Sequence, residues 1–248
     1  MQILTLLELE NLMRLISLIL LFLLSGTVSA QKVEWYTTTQ TSPWVKQKVK
    51  PERTTTGAEI VLDPAQRLQL ITGIGGCFNE MGWDALNALS AEDREAVLQA
   101  IFGKDGACFD YCRLPMGAND FAMSFYSSAD VAGDFNLVNF NIDRDRYILI
   151  PYIKAARQIN PNLRIWASPW CPPPWMKTNN HYASAVRPSG EKDVNGLLPR
   201  EAIAEFSTGF RMEEGYLKTY ADYFARFIKA YEAEGLPLEC IHVQNEPC

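Results

Sequence analysis

Histidine is scarce in this 248-residue chain, which has two, His181 and His242. A zinc site built on imidazole has little to draw on, and no metal or organic cofactor is implied. No Cys-x-x-Cys pair occurs among the six cysteines Cys77, Cys108, Cys112, Cys171, Cys240 and Cys248, so buried free thiols are expected rather than a metal cluster or redox dithiol. No run of Lys or Arg exceeds two residues and the net charge is −6, which argues against nucleic acid or an anionic membrane as partner. No apolar run reaches the roughly 20 residues that a membrane span requires.

What is there suits a globular protein: 48% of residues are hydrophobic and 21% charged, enough for a sizeable core. Residues 1–30 stand apart. Met13 and Arg14 form a short positive start, residues 15–24 are apolar except for Ser17, and Val28-Ser29-Ala30 places small residues before a cleavage point. This is the pattern of a secretory signal, with Met13 as an alternative start because Glu8 and Glu10 are unusual ahead of a signal core. The mature chain is expected to begin near Gln31, secreted or periplasmic, with no membrane insertion after cleavage. Export also permits disulfides, although the cysteine spacing does not require them.

Residues 31–69 are rich in Thr and Lys, with strand-like islands at 33–36 and 60–62, and are expected to form strands of an accessory β domain. From residue 70 strands and helices alternate, which predicts a parallel sheet. Strands are expected at 70–78, 107–114, 163–167 and 240–244. Ser90 and Asp93 make a capping box for a helix ending at Phe102, where Gly103 stops it. Residues 143–159 read as a helix that Pro151 either kinks or opens, and 212–233 as a helix whose apolar face carries Leu217, Tyr220, Ala221, Phe224, Phe227, Ile228 and Tyr231. Four βα strands within about 180 residues are half of a (β/α)8 barrel, so residues 70–248 are expected to be the first half of a TIM barrel, truncated after strand 4.

In such a barrel the chemistry sits where strands end. Those positions read Gly75-Gly76-Cys77-Phe78-Asn79-Glu80, then 113–121 from Arg113 to Asp120-Phe121, then Ala167-Ser168-Pro169-Trp170, and finally Gln244-Asn245-Glu246-Pro247. The set suits a sugar: Trp170 and Trp175 can stack on a pyranose, Asp120, Asn245 and Arg113 can bond its hydroxyls, and a carboxylic acid can protonate the leaving oxygen. Each has a plainer role open to it: core packing for Trp175, a turn cap for Asp120, a structural ion pair for Arg113. Glu246 is the sharpest, because a carboxylate ending an apolar strand needs a partner or a role.

Residues 70–247 resemble glycoside hydrolase family 30, the group of lysosomal glucosylceramidase and its bacterial relatives. The resemblance rests on Gly73-Ile74-Gly75-Gly76, Arg113-Leu114-Pro115-Met116 with Asp120-Phe121, Ala167-Ser168-Pro169-Trp170, residues 174–179 (Pro-Trp-Met-Lys-Thr-Asn) and Asn245-Glu246-Pro247. It implies a (β/α)8 barrel with a side β-sandwich and a retaining β-glycosidase. It also implies Glu246 as acid/base, Asn245 at the sugar 2-hydroxyl, Asp120 and Trp170 on the glycone, and Arg113 in the active site. The family nucleophile is a Glu after strand seven, so the 248 residues alone are expected to be inactive. Glu80 is the one other carboxylate considered as a substitute. The substrate class is a β-linked carbohydrate or glycolipid. An endo-acting β-glucanase or β-xylanase of the same clan, and a secreted carbohydrate-binding protein without catalysis, remain as alternatives.

Overall fold

The computed structural model describes residues 33–50, 57, 63, 65–186 and 195–246. The expected signal segment, the island at 60–62, Pro247 and Cys248 lie outside the described residues. The chain divides into two compact units, 1–67 and 68–248. In the first, β1 (Trp35–Thr37) pairs antiparallel with β2 (Val45–Gln47), in register Trp35 to Gln47. The Tyr36 and Trp44 rings stack at 5.4 Å and Lys46 pairs with Glu34 at 2.8 Å. Among the described residues this unit forms one two-stranded sheet and no β-sandwich.

The second unit is mixed α/β. Its sheet has the order β3 (Tyr111–Pro115), β4 (Arg164–Ser168), β5 (Cys240–Ile241), all parallel, and it is open. The helices α1 (Glu80–Asn87) and α2 (Ala91–Phe102) precede β3, α3 (Asp143–Tyr147) and α4 (Leu149–Ile159) lie between β3 and β4, and α5 (Glu214–Ala233) lies between β4 and β5. Leu114, Ile165 and Ala167 are buried because the sheet is covered, and they pack with Leu149, Ile153, Phe227 and Tyr231 in one core.

The expected strand at 70–78 is reduced to a single parallel bridge from Cys77 to Arg113. The segment still runs beside β3: Arg113 N donates to Gly76 O and Phe78 N to Arg113 O, both at 2.9 Å. Glycine explains both facts. A Cβ on Gly75 would collide with the Tyr111 carbonyl, so only a bare backbone fits this close, yet without side chains there is little to build a full ladder.

The predicted helix at 143–159 is two helices. A continuous helix would drive the Pro151 ring into the carbonyl of residue 147, so the chain breaks at Ile148 and Pro151 falls in the first turn of α4, where no N–H is missed. Ser90 caps α2 through Asp93 N at 3.1 Å, and its hydroxyl bonds the Asp93 carboxylate in return. On α5 the buried stripe is Thr219, Tyr223, Phe227 and Tyr231, while Leu217 and Ile228 are exposed. The predicted face is thus rotated toward polar positions. Thr219 can enter because its hydroxyl donates to the carbonyls of Gly215 and Phe135. Gly235, at φ +76°, ends the helix in a Schellman turn: Leu236 N reaches Tyr231 O at 3.0 Å and Gly235 N reaches Glu232 O at 2.9 Å.

Candidate active site

The C-terminal ends of β3, β4 and β5 lie side by side, and the residues that follow them stay in parallel contact. His242 N donates to Ala167 O and Asn245 N to Pro169 O, each at 2.9 Å, which carries the segment 242–246 along the exit of β4. Gln244 closes the join by donating Nε2 to Trp170 O at 2.9 Å. Register alone therefore sets Arg113, Ser168, Trp170, Asn245 and Glu246 on one rim.

Arg113 is the hub. Its Nε donates to the buried Ser168 hydroxyl at 2.8 Å and its Nη2 to Asn245 Oδ1 at 2.6 Å. Its guanidinium lies 3.9 Å from the Trp170 ring centroid and 4.8 Å from that of Trp166. Burial lowers its pKa, while Cys77, Glu246 and Asp120 oppose that shift, so both carboxylates feel this one cation. Trp170 donates its indole N–H to Asp120 Oδ2 at 3.3 Å. Glu246 is exposed and shares a cleft of about 140 Å³ with Trp170, Lys177, Tyr182 and Gln244.

Trp175 is not in this group. It is 7% exposed, donates its indole N–H to Ala129 O at 2.8 Å, and meets Phe135 edge-on at 5.3 Å. The packing role left open for it is the one that the geometry gives, because an indole with its N–H already used and its faces covered has nothing left to offer a sugar in the Glu246 cleft. Glu80 is likewise unavailable as a nucleophile: it is 1% exposed and both of its oxygens are bonded.

Two cleft residues were not singled out from sequence. Lys177 is 2% exposed, its ammonium donating to Tyr182 O at 2.9 Å and Ser184 Oγ at 3.1 Å, and burial pulls its pKa down. Tyr182 ties its hydroxyl to Ala118 O at 2.9 Å. A lysine directly after the apolar run Pro174-Trp175-Met176 was the available signal for the first. Tyr182 had none.

Among the described residues five cysteines are free thiols; Cys112 and Cys171 are buried, whereas Cys77, Cys108 and Cys240 are exposed, against the expectation of burial. Each of these three lies at an open edge or in a loop rather than under a helix.

The profile described as "Glycosyl hydrolase family 30 TIM-barrel domain" matches residues 71–196. The chain belongs to glycosyl hydrolase family 30. Within that family it is 29% identical over 201 residues to the lysosomal acid glucosylceramidase of Mus musculus, covering 80% of this chain. It is also 29% identical over 187 residues to the endo-1,6-beta-D-glucanase of Neurospora crassa, covering 74%. In each case the match spans 35% of the relative's length. The solved structure of the endo-beta1,6-glucanase BT3312 superposes with TM-score 0.58 at 29% identity, over 75% of this chain and 37% of that one. Family 30 membership assigns residues 71–196 to the family's TIM-barrel domain.

Proposed function

We propose that the protein to which these residues belong is a secreted, retaining glycosidase of β-linked glucosides, with Glu246 as its acid/base. The observation that carries the proposal is the Arg113 hub, which ties Asn245, the neighbour of Glu246, to Ser168 and lies on Trp170. Arg113 occupies Asn245 Oδ1, which leaves the amide N–H2 of Asn245 as a donor to a sugar hydroxyl. Trp170 lines the same cleft and supplies a ring face, and Asp120, bonded to its indole N–H, supplies an acceptor beside it, as a glycone needs.

In this mechanism Glu246 first gives a proton to the glycosidic oxygen and then takes one from water, while a second carboxylate about 5 Å away attacks the anomeric carbon. Among the described residues the cleft lining contains one carboxylate, Glu246. The family resemblance assigns the partner to a Glu after a seventh strand.

Two relatives of similar identity carry different activities in their names, a glucosylceramidase and an endo-1,6-glucanase. An endo-acting β-glucanase is therefore the second reading. Assays of the complete gene product and its Glu246→Gln variant on an aryl β-glucoside, a glucosyl lipid and a β-1,6-glucan separate the two. Turnover of the short glucosides that is lost in the variant supports the first reading, whereas turnover confined to polymer supports the second. A variant as active as the parent on every substrate ends both.

A further inference from the structure

Under the loop that follows β3 lies a buried charge cluster to which the proposed chemistry gives no part. Glu80, the first residue of α1, takes Arg144 Nε on Oε1 at 2.6 Å and Arg144 Nη2 on Oε2 at 2.7 Å, a two-pronged ion pair. Beside it Asp145, 1% exposed, accepts the hydroxyls of Tyr126 at 2.9 Å and Tyr231 at 2.7 Å.

Every one of these groups except Tyr231 also holds the loop that carries Asp120. Met123 N donates to Glu80 Oε2 at 2.7 Å, and Arg144 Nη1 donates to Ser124 Oγ at 2.8 Å. The Arg144 guanidinium lies 4.1 Å from the Tyr126 ring centroid, and Asp145 holds the Tyr126 hydroxyl. Tyr126 in turn accepts Ala118 N on its carbonyl at 3.0 Å, closing the loop on itself. Asp120 sits at the exposed apex between these anchors, where its carboxylate accepts the Trp170 indole N–H.

An ion pair whose carboxylate is buried beside a half-buried arginine is a poor stabiliser, since desolvation offsets much of its Coulomb gain. What a two-pronged pair provides is a fixed geometry. We propose that Glu80, Arg144 and Asp145 are positioning residues that hold the 117–126 loop so that Asp120 meets Trp170 at the mouth of the cleft. The functional meaning of that placement rests on Asp120 contacting the sugar, as under the function proposed above.

The test compares the chain with its Glu80→Gln, Arg144→Met and Arg144→Lys variants by amide hydrogen exchange, together with binding of a glucose-configured imino sugar. Arg144→Lys keeps the charge and loses only the fork, so it serves if the other two fail to fold. Amides of 118–127 should exchange about tenfold faster in each variant, with α2 and α4 unchanged. Imino-sugar affinity should fall by about tenfold or more, in line with a loosened support. The double variant Glu80→Gln/Arg144→Met should be no worse than either single one, because the two act as a unit. Unchanged loop exchange, or faster exchange spread evenly over α2 and α4, overturns the positioning role. A parent chain whose loop behaves as expected but which binds no imino sugar leaves the positioning role standing and counts against the sugar site instead.

Discussion

Arg113 donates a 2.6 Å hydrogen bond to Oδ1 of Asn245, and thereby joins the end of β3 to the segment leaving β5 across the strand between them. Hydrogen bonds along a parallel ladder fix register but not side-chain direction. The guanidinium does the second job, since its planar fork can hold Ser168 and Asn245 while its face lies on Trp170.

Arg113→Lys is the sharp test of that relationship. An ammonium keeps the charge but cannot hold both acceptors and lie flat on an indole, so kcat/KM of the complete gene product on a β-glucoside should fall by about tenfold to a hundredfold with a small change in melting temperature. A variant with parental kcat/KM would reduce Arg113 to a simple counter-charge.

The strand ends were legible in the sequence because β3 and β4 bury Cys112, Leu114, Ile165 and Ala167, apolar positions that bracket Arg113 and lead on to Trp170. The first strand was over-read, since Leu70, Ile71 and Ile74 give a strand pattern while Gly73, Gly75 and Gly76 remove the side chains a ladder packs. The rotated face of α5 and the fate of Glu80 were hidden for one reason. Thr219 and Glu80 are polar in sequence, and only their partners, Phe135 O for one and Arg144 with Met123 N for the other, make them core residues.

The two tryptophans of the 167–179 segment should separate cleanly. Trp175→Leu should lower stability by about 3 kcal/mol, because it empties a packed indole site and orphans Ala129 O, and should leave sugar affinity unmoved. Trp170→Ala should do the reverse, weakening imino-sugar binding by about 1–3 kcal/mol, the scale of a lost ring contact. Calorimetric binding and urea unfolding on both proteins decide it; a Trp175→Leu variant that folds normally and binds no sugar would return Trp175 to the substrate.

For the leader, mass spectrometry of the exported protein should find Gln31 as first residue, since Val28-Ser29-Ala30 offers the small residues a signal peptidase needs. Recovery of exported material that still carries residues 15–24 would refute cleavage there.

The buried carboxyl of Asp145 predicts an unusual pH dependence of stability. Burial pushes its pKa up from 3.8 to about 6, and the nearby charge of Glu80 adds to the rise, while the hydroxyls of Tyr231 and Tyr126 and the cation of Arg144 oppose it. The folded chain therefore holds this proton at pH values where the unfolded chain has released it. Stability from this group is fully present below about pH 4, falls as pH rises through about 6, and is gone above that. A pKa raised from 3.8 to about 6 corresponds to about 3 kcal/mol. Asp145→Asn has no proton to lose and can still bond both tyrosines, so its unfolding free energy should lack this decline between pH 4 and 7 and exceed that of the parent at neutral pH. Urea titrations of the two proteins at pH 4, 5, 6 and 7 measure the difference directly. Parallel curves would mean that Asp145 stays ionised throughout, held by its two tyrosines and Arg144 more strongly than burial opposes it.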